Sequence, residues 1–456
     1  MNANTFHLIS LGCAKNTVDS ESMGNLLLES GYRATEDSTQ AAVLIVNTCG
    51  FIEPARAESL DVLAELARQK RKGQILIAAG CLTQRYGEEV TRQVPGIDGV
   101  LGTRRWMDIV EVVQSLRRGE YPQPLYHLPD VPTVGSDERG VARVAIQGAS
   151  AYLKTADGCR RPCAFCAIPL IKGTAVSRPM ESILKEARSL QAQGIKELVL
   201  IAQDTTDYGH DLGLSDGLAR LLEALVAAAP DIPWVRVMYA YPGYVTDRLI
   251  EVMAEKSQVL PYLDMPLQHA HPAVLRRMRR PANMDWVYHT LEKMRTAMPD
   301  LALRSTFIVG YPGETETEFQ ALLDFVEEIR FDHVGTFQFS FEPGTSSEPL
   351  GDPVPPEVKQ ERYERLMQTQ QAISLQKNQA FIGRKLDVLV EGQGDGVSLG
   401  RTYRDAPEID GLVIVEDEIP TGTLLPVRIN GAMAYDLSGI AEGSPVVFPS
   451  QSLPTS

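Results

Sequence analysis

The chain has 456 residues, too long for one typical core, so two or three domains are expected. A hydrophobic content of 44% and a charged content of 23% are those of an ordinary soluble globular protein, and a formal net charge of −15 disfavours non-specific nucleic-acid binding while favouring a basic partner. Met1 to Leu11 has no positive n-region, and nothing approaches the run of about 18 apolar residues that a membrane helix needs, so a cytoplasmic location is expected, and the six cysteines read as metal ligands rather than disulfide staples.

Phe6 to Leu11 reads as a strand ending at Gly12-Cys13. Asp19-Ser20 is then expected to cap a helix with Met23, Leu26 and Leu27 on one face and Gly31 as its stop. Val43 to Val46 is a second strand, running into Asn47-Thr48-Cys49. Ile75 to Ala79 is a third, following a helical stretch from about Pro54 to Lys72 and running into Gly80-Cys81. Alternation of this kind implies a parallel sheet with right-handed crossovers, and such sheets bind ligands beyond the carboxyl ends of their strands. Cys13, Cys49 and Cys81 are expected to converge there, with Gly12 and Gly80 allowing close backbone approach, as a three-thiolate cluster site. The alternative is three unrelated buried cysteines.

Residues 121–144, with Pro122, Pro124, Pro129 and Pro132 and no sustained period, read as a linker between a domain at 4–120 and another at 145–380. In the second domain the candidate strands are Ala151 to Thr155, Glu197 to Ala202, Trp234 to Met238, Tyr262 to Met265, Leu303 to Val309 and His333 to Phe339. Each is followed by a helical stretch, so a six-unit partial (β/α) barrel is expected. Cys159, Cys163 and Cys166 follow its first strand at CxxxCxxC spacing, too tight for a disulfide framework but suited to a loop wrapping a polynuclear thiolate-bound cluster. Three ligands are one short of four, and an open iron is a reaction site by the reasoning that separates open from closed zinc sites. The alternative, a structural zinc site or three buried thiols, normally shows a second CxxC, and the sequence has none. Pro162 restricts the loop without removing a ligand. Gln203-Asp204 after the second strand and Gly310-Tyr311-Pro312-Gly313-Glu314 after the fifth also look chemical, although the latter reads equally as a tight turn.

Pro353 to Pro356 opens a last helix to about Gln379, and residues 381–450 then carry short β segments at Leu386 to Val390, Leu412 to Val415, Leu424 to Ile429 and Asp436 to Ile440, a small OB-like barrel. Five basic residues stand there against eleven acidic ones, a net of −6, which is wrong for phosphate and right for a cationic protein.

The cysteine loop, with Phe165 just before its last cysteine, resembles the signature of the radical S-adenosylmethionine (SAM) enzymes, in which the open iron chelates the amino and carboxylate groups of the methionine part of SAM. Ile308 and Gly310 match the strand that packs on the adenine in that family, and with Phe165 and Gln203 they are the expected cofactor contacts. The order of β/α domain with three cysteines, CxxxCxxC barrel and terminal small barrel resembles the methylthiotransferases over nearly the whole chain and uses every cysteine. Ser10-Leu11-Gly12-Cys13-Ala14-Lys15-Asn16, Ala202-Gln203-Asp204-Thr205-Thr206, Tyr262 through His269 and Asp405 through Gly411 are similar to the protein-modifying branch of that family.

The resemblance implies a fold of parallel β/α domain, radical SAM partial (β/α)6 barrel and TRAM-type barrel, with two 4Fe-4S clusters and SAM as cofactors. Cys159, Cys163 and Cys166 would hold the cluster that cleaves SAM to methionine and a 5'-deoxyadenosyl radical. Cys13, Cys49 and Cys81 would hold the one that carries sulfur, and a second SAM would give the methyl group. It further implies an aspartate of the small-subunit ribosomal protein S-twelve as substrate, together with an external electron donor and a sulfur donor. Asp405, Glu408 and Asp410 are the expected contacts to that basic protein. A tRNA adenosine methylthiotransferase and a non-enzymatic iron–sulfur redox carrier stay open as alternatives.

Overall fold

The computed structural model describes residues 4–119, 124–131, 134, 137 and 139–442. At the amino end, β1 (Thr5–Ser10), β2 (Arg33–Ala34), β3 (Val43–Thr48), β4 (Ile75–Gly80), β5 (Gly99–Gly102) and β6 (Leu125–His127) form one parallel sheet in the order β2-β1-β3-β4-β5-β6. Helices α1 (Ala14–Glu29), α2 (Glu53–Gln69), α3 (Cys81–Gln93) and α4 (Ile109–Arg118) make the crossovers. Every residue of β3 is buried, and its side chains alternate between two cores: Val43 and Ile45 pack with Ile77 and Leu101, while Leu44 and Val46 pack with Leu76 and Val100. That is why the segment reads as an unbroken apolar run.

Two expectations change here. The first helix begins at Ala14, with Cys13 rather than Asp19-Ser20 in the capping position. Asp19 is instead buried inside the helix and held by Lys154, Lys172 and Arg143 at 2.6, 2.9 and 2.9 Å. The stretch expected as a linker contributes β6, which pairs with β5, and Val144 already opens the next strand; Pro122 and Pro132 lie outside the described residues.

Strand β7 (Val144–Gln147) runs antiparallel to β8 (Ser150–Lys154), and the cysteine loop follows, flanked by the two-residue strands β9 (Ala156–Asp157) and β10 (Val176–Ser177). Parallel β8, β11 (Glu197–Ile201), β12 (Trp234–Val237), β13 (Tyr262–Asp264), β14 (Ala302–Val309) and β15 (His333–Gln338) give the six-unit partial barrel. Between β12 and β13 the ladder thins to a single bridge, Val235 to Val259. Around the barrel lie α5 (Ile168–Lys172), α6 (Met180–Ala192), α7 (Gly217–Ala228), α8 (Asp247–Glu255), α9 (Pro272–Arg277), α10 (Met284–Ala297), α11 (Glu316–Ile329) and the long α12 (Pro356–Gln379). The start of α11 is fixed by a capping box: Thr315 accepts from the Glu318 N–H while Glu318 accepts from the Thr315 N–H.

Strands β16 (Lys385–Gly394), β17 (Val397–Arg401), β18 (Val413–Val415), β19 (Leu424–Ala432) and β20 (Leu437–Ala441) close a barrel over Val388, Val390, Val413, Val427 and Ile429. Strand β17 had no counterpart among the expected segments.

This small barrel docks on the amino-terminal ends of the central strands. Glu197, the first residue of β11, is buried and accepts from Arg401 at 2.6 Å, Arg236 at 2.7 Å and the Ser150 hydroxyl at 2.8 Å. Burial pushes its carboxyl up, but Arg401 and Arg236 outweigh burial and hold it at about 2, below an ordinary value of 4.5. A depressed carboxyl contributes stability that is full above the unfolded value and fades as pH falls toward the folded one. Docking of the terminal barrel is therefore expected to weaken between about pH 4.5 and 2, and Glu197→Gln, which has no carboxyl to protonate, should weaken docking at neutral pH and remove this part of its pH dependence. Limited acid proteolysis across this window checks it; release of the terminal barrel at the same pH in both proteins would contradict the assignment.

Candidate active site

Beyond the carboxyl end of β8, the cysteine loop is fixed by its own backbone. Cys159 N–H donates to Gly173 O at 3.0 Å, Ala164 N–H to Met278 O at 2.8 Å and Cys166 N–H to Cys163 O at 3.1 Å. Pro162 sits exposed on the outside of the loop, and the Arg161 N–H before it donates to Cys159 Sγ at 3.4 Å. Burial pushes the thiols up, Cys159 to about 11 and Cys166 to about 12. Metal binding there has to displace protons.

Cys163 has two further neighbours: Arg280 Nη1 at 3.4 Å and the Tyr241 hydroxyl at 3.8 Å. Arg280 also stacks over the Tyr241 ring at 4.2 Å and donates to Pro266 O, while its Nε is buried without a partner. Arg161, by contrast, is neutralised by Asp204 at 2.5 Å and Asp207 at 3.3 Å.

The other three cysteines meet beyond β1, β3 and β4. A Cβ on Gly12 would stand 2.9 Å from Cys49 Cβ and 3.1 Å from its Sγ, and one on Gly80, whose φ is +104°, would stand 2.4 Å from Asn47 Oδ1. Only glycine lets these loops close. Cys81 Sγ lies 3.6 Å from Asn16 Oδ1, and Asn16 ties the loops by donating to Leu11 O at 2.9 Å and Thr48 O at 3.2 Å. Burial drives Cys81 up to about 12 and Cys49 upward as well. Cys13 differs: burial pushes it up, but Lys15, Lys172 and the N–H groups of Asn16 and Lys15 carry it below the ordinary thiol value. It is the solvent-exposed member of the three.

The two sets are neighbours. Cys81 packs on Ala167 and Ile171, just past Cys166. A cavity of about 220 Å³ is lined by Cys159, Cys163 and Cys166 together with Lys15 and Phe51, two residues past Cys13 and Cys49. Tyr239 and Gln268, at the ends of barrel strands, complete it with φ of +63° and +76°. Strained non-glycine backbone of this kind clusters at functional sites. Among the described residues no three His, Cys, Asp or Glu side chains close round a single ion.

Phe165 and Gln203, two of the expected cofactor contacts, line the cavity. Ile308 does not line it; it stands behind Phe165, packed with Val274 and Tyr311. Gly310 is likewise away from the wall: its N–H donates to Glu314 at 2.6 Å, and Lys359 covers it. Glu314 itself is spent on His269 and Arg362, so Gly310 to Glu314 is a structural turn that anchors α12.

The three expected substrate contacts have partners within the chain. Asp410 accepts from Tyr262 at 2.7 Å and Arg304 at 3.2 Å, and Asp405 accepts from the Thr402 hydroxyl at 2.7 Å. Both side chains are buried. Glu408 accepts from Gln147 at 2.9 Å and Tyr152 at 3.2 Å. Asp410 and Glu408, with Asp405 beside His333 at 3.5 Å, hold the terminal barrel to the amino-terminal end of the strands, opposite the cysteine loop. Lys15, Tyr239, Tyr241, Gln268 and Arg280 escaped the sequence reading as cavity residues. Lys15 and Gln268 stood in the stretches similar to methylthiotransferases, but nothing in the sequence singled out Arg280.

Residues 5–102 match the uncharacterized protein family UPF0004, residues 153–326 the Radical SAM superfamily and residues 382–441 the TRAM domain. A protein of Chloroflexus aurantiacus named ribosomal protein uS12 methylthiotransferase RimO is 50% identical over 452 residues, spanning 96% of this chain and 99% of its own. One of the same name from a Roseiflexus species is 48% identical over 455 residues (95% and 96%), and one from Symbiobacterium thermophilum is 48% identical over 442 (95% and 90%). Among solved structures, the radical S-adenosylmethionine methyltransferase TsrM from Kitasatospora setae, with cobalamin and a [4Fe-4S] cluster bound, superposes with a TM-score of 0.56 at 14% identity over 87% of this chain and 80% of that one. That likeness is one of fold. With three segments matched in order and relatives this similar over nearly their full length, the chain belongs to the RimO methylthiotransferase family of the radical SAM superfamily.

Proposed function

We propose that the protein is a radical SAM methylthiotransferase that replaces a β-carbon hydrogen of an aspartate in ribosomal protein uS12 by a methylthio group. The observation that carries the reading is a cavity lined by Cys159, Cys163 and Cys166 together with Lys15 and Phe51, two residues past Cys13 and Cys49, in a chain whose full-length relatives bear the name ribosomal protein uS12 methylthiotransferase. The residues fit the cofactors. Each cysteine set offers three thiols of the four that such a cluster takes, and the buried, unpartnered Arg280 Nε is an unused donor in a residue that lines the cavity. When bound, SAM and the cluster at Cys159, Cys163 and Cys166 supply hydrogen abstraction from an unactivated carbon, and the cluster at Cys13, Cys49 and Cys81 supplies sulfur.

The remaining work belongs to the chain's own groups. Arg280 and the Arg161 N–H point donors at Cys163 and Cys159, hydrogen bonds that stabilise thiolate. Phe51, Phe165 and Tyr239 wall the cavity and exclude water from a reactive centre. The ionic lock around Asp19 holds the amino-terminal sheet against the barrel, so the two cysteine sets keep a fixed separation. An external electron donor and a sulfur donor complete the reaction, and a cytoplasmic setting beside the ribosome follows from the substrate. No helix among the described residues is long and apolar enough to cross a membrane.

Mass spectrometry of ribosomal protein uS12 and of tRNA from cells with and without the gene tests the assignment. A methylthio mass increment on a uS12 aspartate that disappears with the gene is expected. A gene-dependent methylthio adenosine in tRNA with uS12 unchanged would replace it with the nucleic-acid reading.

A further inference from the structure

We infer that Lys15 seats the carboxylate of the acceptor aspartate and so selects an acidic side chain as substrate; this rests on the function proposed above. Lys15 lies two residues past Cys13, is 6% exposed, and lines the cavity that Cys159 and Cys163 also line. Among the described residues it makes no ion pair; its Nζ rests 3.2 Å above the centroid of the Tyr239 ring. A ring face offsets only part of the cost of taking an ammonium out of water, so an anionic group brought to Lys15 is stabilised there.

The other two cations of the cavity have partners of their own: Arg161 is matched by Asp204 and Asp207, and Arg280 donates to Cys163 Sγ and Pro266 O, with only its Nε unpartnered. Lys15 is thus the cavity cation whose contact among the described residues is an aromatic ring and not an acid or a hydrogen-bond acceptor. An aspartate carboxylate is one bond from the β-carbon that has to be functionalised. Holding it fixes that carbon in the gap between the two sets, where a near-attack placement is worth most. Tyr239 is itself held in strained backbone at φ +63°, with the adjacent chain pinned by the Tyr239 N–H to Asp264 bond at 3.0 Å, so the ring that supports Lys15 has a fixed place. An asparagine or an adenine ring brings no negative charge to this point.

Reconstituted holoenzyme, its Lys15→Met variant and its Lys15→Arg variant would be titrated with a fluorescent uS12 peptide containing the acceptor aspartate and with its asparagine counterpart. The ratio of the two dissociation constants is read, since it does not depend on the fraction of folded protein. The native enzyme should prefer the aspartate peptide by roughly tenfold to a hundredfold, the range for a hydrogen bond between charged groups. Lys15→Met should bring the ratio close to one, and Lys15→Arg should restore part of it. An unchanged ratio in Lys15→Met, in an enzyme that does modify the aspartate, would overturn the inference and leave the proposed function standing. Loss of iron from the amino-terminal site with the ratio intact would also overturn it, making Lys15 a support for Cys13 alone. If the native enzyme prefers neither peptide and modifies tRNA, the proposed function falls and takes this inference with it.

Discussion

Alanine at Cys159, Cys163 and Cys166 together is expected to remove about half of roughly eight bound irons and to abolish reductive SAM cleavage and methylthio transfer alike. Alanine at Cys13, Cys49 and Cys81 should also remove about half of the iron, but with a different loss of chemistry. The reason is spatial. Only the first set shares its loop with Phe165 and stands beside Arg280 and Gln203 in the cavity, whereas the second grows from another sheet and reaches that cavity through Lys15 and Phe51. Single variants sharpen the contrast. Cys163→Ala should lose both activities, while Cys49→Ala should keep SAM cleavage and lose sulfur transfer. Iron content with Mössbauer spectra, and deoxyadenosine yield against methylthio product, separate the two. Equal loss of SAM cleavage in the single variants would remove the division of labour, and full iron retention in the amino-terminal triple variant would remove the second site.

Much of this was legible in the residues because each rule involved is local. A cysteine at a strand's carboxyl end needs only the alternating pattern to be placed, and β1, β3 and β4 do carry Cys13, Cys49 and Cys81 to one junction. The six parallel strands of the barrel likewise fell where apolar runs alternate with helical periods. What stayed hidden depends on partners far along the chain. Asp405 and Asp410 read as surface acid because net charge is summed without regard to pairing; in the fold they meet Thr402, Tyr262 and Arg304. Asp19 read as a helix cap because aspartate favours that position, yet cations 124, 135 and 153 residues away claim it. Arg280 is one arginine among many until Met278, just before it, receives the backbone of the cysteine loop. Strand β6 escaped because three residues among prolines carry too short a period to be counted.

Asp19→Asn should cost about 3–5 kcal/mol and loosen the amino-terminal sheet from the barrel, the usual range for removing one partner of a buried ion pair. Asp19 and Asp157 are buried together with Arg143, Lys154 and Lys172, three cations against two carboxylates. Asp19 takes Lys154 at 2.6 Å, Lys172 at 2.9 Å and Arg143 at 2.9 Å; Asp157 takes Arg143 at 2.5 Å and Lys154 at 2.6 Å. Without Asp19 the same three cations face one carboxylate in a site with no water to screen them. Lys154 is the one expected to give way, since burial has already drawn it down to about 8 despite both carboxylates. The lost stability should accordingly be larger below about pH 8, where Lys154 would have to stay charged, than above it. Adding Lys172→Met to Asp19→Asn restores the original excess of one positive charge, so the double variant should be more stable than Asp19→Asn alone, a coupling that independent surface sites do not show. Denaturant unfolding of the two singles and the double gives the cycle. Because Lys172 also lies close enough to Cys13 and Cys81 to act on their thiols, the cysteine sets should lose their fixed spacing in Asp19→Asn, and methylthio transfer should fall further than SAM cleavage. Additive free energies, or an equal fall in both reactions, would mean that the ionic lock stabilises the fold without setting the distance between the two halves of the site.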